Sequence, residues 1–421
     1  MMDFMDESEK DHKRLGRELD LFVFSDLVGP GLPLWTPRGT VLRQELDRFV
    51  QEMRAQNGYQ EVTIPHITKK DLYQKSGHWT KFKDDLFHVK SREGHEFAMK
   101  PMNCPHHTQI YASRPRSYKE LPIRYRETTM NYRDEQTGEL NGLLRARSFT
   151  QDDAHVFCRE EHILEESLKI WDMVEKFYGA FGFELSLRFS KRDPKTPDAY
   201  SGDDDMWNKA EAELQKAIDK KGGVAVADGT GDAAFYGPKL DFTATDSLGR
   251  SWQVATIQVD FAQPEGLGLT YVNEKGEEQR PVMIHCAIMG SIERFLAVLL
   301  EHTAGDLPVW ASPEQLRLIP VNPDDKDIIE LTEIIYKKAG EKGIRATIDS
   351  SNESVGKRIH GAKELKVPHQ YVVGPLLIEE IKKAGLEVTD IDQGSPMQFL
   401  DKIEKEIKDR KDYPELYEQG R

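Results

Sequence analysis

The chain has 421 residues, 38% hydrophobic and 31% charged, which excludes a disordered or fibrous protein and leaves room for two to four domains at roughly 100–200 residues each. With 58 Lys and Arg against 73 Asp and Glu, the net charge of −15 excludes a globally basic nucleic-acid coat, but not a basic patch on an acidic body. Three cysteines (Cys104, Cys158 and Cys286) are too few for a disulfide framework, the longest apolar runs such as RFLAVLL fall far short of the ~20 residues of a membrane span, and the opening MMDFMDESEKDHKR is too charged for a signal peptide, so a cytoplasmic protein without a membrane partner is expected.

The stretch EKDHKRLGRELDLFVFS predicts an amphipathic helix, and GPGLPLWTPRG a loop rich in Gly and Pro. In TVLRQELDRFVQEMRAQNG, Leu42, Leu46, Phe49, Val50 and Met53 recur at helical spacing, and Asn57-Gly58 end the helix. YQEVTIPHI alternates and is β-branched, which predicts a strand; DLFHVKSREGHEFAMK predicts a hairpin turning near Glu93-Gly94. Residues 121–158 predict two long strands around the polar loop DEQTGELNG, and 160–180 a helix. DDDMWNKAEAELQKAIDKKGG predicts another, its acidic start favoured by the helix dipole. Residues 234–289 are strand-rich with turns at DSLGR and NEKGEE, and 290–303 predict a helix with Ile292, Phe295, Leu296 and Leu299 on one stripe. Beyond GDLPVWASPEQ, at 305–315, strand and helix alternate regularly through LRLIPV, DIIELTEIIYKKAGEKG, IRATID, VGKRIHGAKELK and HQYVVG. The expected fold class is α+β: an antiparallel-sheet domain with flanking helices at 1–310, followed by a small α/β domain at 311–421.

No G-x-x-x-x-G-K-[ST] loop and no G-x-G-x-x-G after a strand is present. A bound nucleotide would instead be held by arginine, whose planar fork matches phosphate oxygens. Arg133 in NYRDE lies at a strand end with Glu135 two residues on, Arg145 in LLRAR lies on the returning strand, and Arg294 in GSIER lies in the first turns of the 290–303 helix. Residues 102–150 carry eight Lys/Arg and five Asp/Glu, +3 within a chain of −15, which suggests an anionic ligand. Cys104 in KPMNCPHH, His155 in QDDAHVFC and His285 in VMIHCAI are 51 and 130 residues apart, so spacing leaves each of them open between a structural residue and a metal ligand. If they converge, three N/S donors suit zinc with an open fourth position. His106 and His107 are adjacent, and adjacent residues rarely share one metal.

Several stretches resemble class II aminoacyl-tRNA synthetases and, within that class, the threonyl enzymes. GYQEVTIPHI resembles motif 1 with Pro65 as its proline, YRETTMNYRDE…LLRARSFTQDDAHVF resembles motif 2, and GSIERF resembles motif 3. KPMNCP, SFTQDDAHVFC, AFYGPK and VMIHCAI together are specific to the threonyl type. The resemblance covers residues 10–345 well and the rest poorly. It implies a six- to seven-stranded antiparallel sheet with helices, a homodimer formed through motif 1, and a C-terminal anticodon-binding domain. It implies activation of threonine with ATP and transfer to tRNA(Thr). Arg133 would contact the α-phosphate, Arg145 the γ-phosphate end, Arg294 the ATP, and Glu135 the adenine amino group, with magnesium bridging the phosphates. Cys104, His155 and His285 match the family's ligands for one zinc per subunit, which would select threonine over valine. Gln151 and Asp153 would meet the polar groups of the amino acid; Tyr236, Lys239, Gln253, Thr256 and Gln258 match the rest of the pocket, Gln253 and Thr256 on its ATP side. His78 in SGHW matches a histidine near the terminal ribose of tRNA that could assist proton removal.

The family's N-terminal editing and ubiquitin-like domains have no counterpart in this sequence, so either a trimmed chain or a naturally short form is expected, with detectable seryl-tRNA formation. Cys286 follows His285 where most relatives carry Arg, as a substitution or a supplementary ligand; strand neighbours point to opposite faces, which favours the former. The C-terminal GLEVTDIDQG, with Glu387, Asp390 and Asp392, is acidic where the family has a basic strand, while Asn352, Lys357 and Arg358 could still contact RNA. Two other readings stand beside threonine activation. A synthetase-like paralogue that does not charge its ligand has no need of the arginines; a zinc hydrolase lacks an HExxH helix.

Overall fold

Asp11 accepts hydrogen bonds from the Lys13 and Arg14 amides and so starts a helix, α1 (His12–Glu18). This helix is shorter than its amphipathic pattern suggests. Asp20 adopts φ 53°, and Phe22–Val23 then pairs with Leu34–Trp35 as a small hairpin. Phe22 folds back so closely on Gly16 that a Cβ there would lie 2.2 Å from the ring. Helix α2 (Pro37–Gln56) begins with a Thr36 cap and Pro at its first turn, and buries Leu42, Leu46, Phe49, Val50 and Met53 on one stripe. These coordinates are a computed structural model that describes residues 10–383 and 394–410; Glu387, Asp390 and Asp392 lie outside the described residues.

YQEVTIPHI does not form one strand. Only β1 (Gln60–Glu61) pairs into the main sheet, and Ile67–Lys69 joins a separate three-stranded sheet with His88–Lys90 and Glu96–Met99. Pro65, with no amide hydrogen to give a ladder, sits where the chain changes sheets. The main sheet is completed by β2 (Ile123–Tyr132), β3 (Ser148–Cys158), β4 (Glu184–Lys191), β5 (Val226–Thr230), β6 (Lys239–Thr245), β7 (Ser251–Asp260) and β8 (Val282–Ala287). Its order is β5-β4-β6-β7-β8-β3-β2-β1. The central pairs are antiparallel, and the two outermost pairs, β5 with β4 and β1 with β2, are parallel. Those edge strands bring the sheet to eight, against the six or seven expected.

Helices α2, α4 (Ile163–Gly179) and α6 (Ile292–Thr303) contribute to the main core, in which Phe49, Phe177, Phe181, Phe295 and Trp310 pack ring to ring. Helix α3 (Cys104–Ala112), which the sequence reading did not anticipate, packs through Tyr111 against Phe157. Helix α5 (Asp204–Lys221) starts at Asp203, whose carboxylate accepts from the Met206 amide. The C-terminal part is a parallel three-stranded sheet of β9 (Leu316–Pro320), β10 (Ala346–Ile348) and β11 (His369–Val373), in the order β10-β9-β11. Helices α7 (Lys326–Glu341), α8 (Val355–Glu364), α9 (Pro375–Lys383) and α10 (Ser395–Asp409) accompany it. Leu316, Leu318, Ile328, Leu331, Leu400 and Ile403 form its separate core. Among the described residues no helix is long and apolar enough to cross a membrane.

Candidate active site

The register of three central strands assembles the first cluster. His285 on β8 lies directly opposite His155 on β3, and Gln258 on β7 lies directly opposite His285. Facing residues of neighbouring strands share a side of the sheet, so both imidazoles project together, with ring centroids 4.8 Å apart. Cys104, the first residue of α3, meets them from above. One ligand atom from each of Cys104, His155 and His285 lies within 4.8 Å of the others, and all three residues are buried.

The donor set fits a metal ion. His285 uses Nε2 on Asp260 Oδ2 at 2.8 Å, and His155 uses Nδ1 on His107 Nδ1 at 2.7 Å. Each ring is thus oriented through one nitrogen while the other stays available, as in metal sites whose ligands are fixed by outer hydrogen bonds. Burial pushes the Cys104 thiol far above its ordinary range, with the charges of Asp153 and Asp260 acting in the same direction. Burial also holds His155 neutral, helped by the neighbouring His107 and His285. A divalent cation would favour the thiolate and needs the imidazole neutral. Cys286 points elsewhere: its sulfur receives Arg54 Nη1 at 3.4 Å and lies 3.7 Å from the Tyr59 hydroxyl, outside the cluster.

The second feature is a cleft of about 280 Å³ on the same side of the sheet. Arg133, Gln151, Gln253, Thr256 and Arg294 are among its lining residues. Burial lowers the pKa of both guanidiniums. An arginine stays charged even so, and neither forms an ion pair among the described residues. Arg133 stacks over Phe149 at 5.1 Å and its Nε has no hydrogen-bond partner. A half-buried guanidinium at Arg133 and an exposed one at Arg294, both on the cleft wall, suit an anion. The cleft adjoins the Cys/His cluster: Thr256 lines it, and Gln258, two residues along the same face of β7, neighbours His285.

Arg145 and Glu135 do not line the cleft; they hold each other at 2.7 Å in the β2–β3 loop, with Glu139 as a second acceptor at 3.1 Å. The remaining predicted residues form a connected set. Tyr236 donates to Gln258 Oε1 at 2.7 Å and stacks on His285. Gln253 and Thr256 donate to Asp241 Oδ1, and Lys239 pairs with Asp241 Oδ2 at 2.8 Å. Asn131 donates to Gln151 Oε1, and Asn103 donates to Asp153 Oδ2 at 2.9 Å. His78 is fully buried under Phe82 and Phe235, with Nε2 3.9 Å from the Cys104 sulfur; burial lowers its pKa to about 3, so it is neutral.

Comparison with known proteins identifies the two domains. Residues 87–303 match the tRNA synthetase class II core domain (G, H, P, S and T), and residues 315–410 match an anticodon binding domain. A threonine–tRNA ligase of Cytophaga hutchinsonii is 45% identical over 404 residues, covering 95% of this chain and 62% of the relative. The solved RNA binding domain of threonyl-tRNA synthetase from Cryptosporidium parvum Iowa II superposes with a TM-score of 0.85 at 35% identity, covering 94% of this chain and 98% of that one. The chain belongs to the threonyl-tRNA synthetase family. The solved threonyl-tRNA synthetase ThrRS-1 of Aeropyrum pernix, described as putative, also shares the fold, with a TM-score of 0.82 at 27% identity over 95% of this chain and 97% of that one. The chain spans about three-fifths of the length of the curated threonyl relatives it matches.

Within this threonyl-type framework, the sequence reading missed the groups that orient the site. His107 and Asp260 engage the two histidines, Asn103 and Lys100 lie behind Asp153, and Asp241 gathers Gln253, Thr256 and Lys239. His107 and Asn103 sat in the quoted KPMNCPHH, where adjacency to other candidates was the only available signal; Asp260 and Asp241 had none. In the anticodon-type domain Arg358 is buried and donates to the Pro320 and Asp349 carbonyls, so it braces the fold instead of facing RNA. Lys357 is exposed and pairs with Glu353.

Proposed function

We propose that the protein activates threonine with ATP to threonyl-adenylate and transfers it to the 3′ end of tRNA(Thr), working as a cytoplasmic homodimer. The observation that carries this reading is the convergence of Cys104, His155 and His285 beside a cleft lined by Arg133 and Arg294. Arg133 and Arg294 neutralise charge as the threonine carboxylate attacks the α-phosphorus and pyrophosphate leaves. Arg145 turns from Glu135 to the γ-phosphate end, freeing Glu135 for the adenine amino group; magnesium accompanies the phosphates. Gln253 and Thr256, held by Asp241, position the nucleotide.

Cys104, His155 and His285 would hold one zinc ion, which supplies Lewis-acid coordination for the neighbouring amine and hydroxyl of threonine. An apolar pocket alone separates such near-isosteric pairs only about 10²-fold. Asp153 accepts from the substrate's amine or hydroxyl, and Gln151, Tyr236, Lys239 and Gln258 complete the polar wall. His78, 3.9 Å from the Cys104 sulfur, would assist proton removal in the transfer step.

Pyrophosphate exchange with threonine, serine and valine, before and after chelation, tests the reading. Threonine-dependent exchange that disappears on chelation and returns with zinc is expected. Valine exchange at a rate comparable to threonine sinks the metal argument, and no threonine-dependent exchange sinks the whole.

A further inference from the structure

We infer that His12 is a positioning residue for ATP, a rigid strut that sets the loop bearing Glu135 and Arg145 against the helix bearing Arg294. This rests on the ATP reading given above. His12 opens α1, far in sequence from both elements, and is 1% exposed. Its Nδ1 lies 2.6 Å from Glu301 Oε1 on α6, and the Leu143 amide reaches its Nε2 at 3.2 Å. A backbone amide can only donate, so Nε2 is the unprotonated nitrogen and the single ring proton sits on Nδ1, directed at Glu301. The imidazole therefore joins two elements through opposite edges, one as donor and one as acceptor.

Both ends of the strut are anchored. Glu301 also accepts from the His12 amide at 3.2 Å and pairs with Arg250, which in turn holds Asp246. Burial acts to raise the Glu301 carboxyl, but the hydrogen bonds from His12 and Arg250 bring it below its ordinary value. On the other side, Leu143 lies in a tight turn in which the Asn141 amide donates to the Arg145 carbonyl at 3.1 Å and the Leu144 amide to the Asn141 carbonyl at 2.9 Å. Pinning Leu143 thus fixes the backbone two residues before Arg145. Gly142 has φ 53°, and a Cβ there would lie 2.3 Å from His12 Nε2, so the glycine is what lets the loop reach the ring. His12 itself lies beyond the cleft lining and touches no reacting atom.

His12→Ala, His12→Gln and His12→Asn separate positioning from simple packing. A glutamine places its amide oxygen where Nε2 was and can still accept from Leu143; an asparagine reaches only the Glu301 side. His12→Ala is expected to raise the KM for ATP about tenfold, as one buried hydrogen bond is lost at a loaded site, with the KM for threonine within about twofold. His12→Gln recovers most of the ATP affinity and His12→Asn does not, although the two melt at similar temperatures. Equal KM increases for ATP and threonine, or glutamine and asparagine variants with the same ATP affinity, overturn the inference. Equilibrium dialysis with ATP reads the same ranking without turnover. The expected ranking there, in a protein without threonine-dependent exchange, upholds the strut while removing the proposed activity.

Discussion

Lys100 is fully buried, and its ammonium donates to Asn103 Oδ1 and Thr129 Oγ1, both at 2.9 Å. Burial pulls its pKa from 10.5 down to about 8, against the opposing charges of Glu127 and Asp153. Between those two values the unfolded chain binds more protons than the folded one, so this residue makes stability rise with pH, by up to about 3 kcal/mol across the window. Urea unfolding at pH 7 and pH 10 should therefore show the unaltered protein gaining on Lys100→Met as pH rises; parallel curves for the two proteins would remove the buried-cation account. The residue types in KPMNCPHH were legible as chemistry, but their division of labour was not. Cys104 joins the two histidines of the cluster, His107 orients His155, and Lys100 and Asn103 stand behind Asp153. Such roles depend on which nitrogen faces which neighbour, and one-dimensional spacing carries no record of that.

At the scale of elements, the site is a product of strand register. β6, β7, β8 and β3 lie side by side, so Asp241, Gln258, His285 and His155 come together from four separate segments. Asp241 is the hub beside the arginine-lined cleft, accepting from Ser190, Gln253 and Thr256 and pairing with Lys239. Asp241→Ala leaves those donors without their acceptor; it should cost about 3 kcal/mol of stability and raise the KM for ATP more than that for threonine, which denaturant titration and pyrophosphate exchange will read. An unchanged ratio of the two KM values removes Asp241 from the nucleotide side. The long strands at 123–132 and 148–158, the helix at 292–303 and the alternating C-terminal elements were legible because hydrophobic period and length agreed over many residues. YQEVTIPHI misled because its β-branched alternation spans a proline at which the chain leaves one sheet for another, and α3 was hidden by a Pro- and His-rich start.

Ion pairs and hydrogen bonds join the main core to the C-terminal core, and Ile407 packs against both. Arg345 donates to the Trp310 and Ser312 carbonyls and pairs with Glu45 of α2 at 3.0 Å; Arg38 reaches Glu314 at 3.1 Å, and Arg410 reaches Glu52 at 2.6 Å. Arg345→Ala should split a single calorimetric unfolding transition into two, since the C-terminal core is separate; one unsplit transition would place the coupling elsewhere. A homodimer accords with apolar side chains left open at the N-terminal hairpin and in motif 1, where Leu27 is 99% exposed and Ile67 is 48% exposed. Sedimentation should return twice the chain mass of 48.3 kDa, and a 48.3 kDa species at micromolar concentration would count against it. The amino-acid sequence alone determined the class of fold and the order of most elements, because periodicity is a local property, while its resemblance to the synthetase family singled out the three ligand candidates that residue chemistry left open. Only the tertiary structure decided that a thiol and two imidazoles meet beside an arginine-lined cleft, that Arg358 turns inward, and that His12 bridges a loop and a helix distant in sequence. Those outcomes are set by strand register and burial, which act between residues that local sequence patterns do not connect.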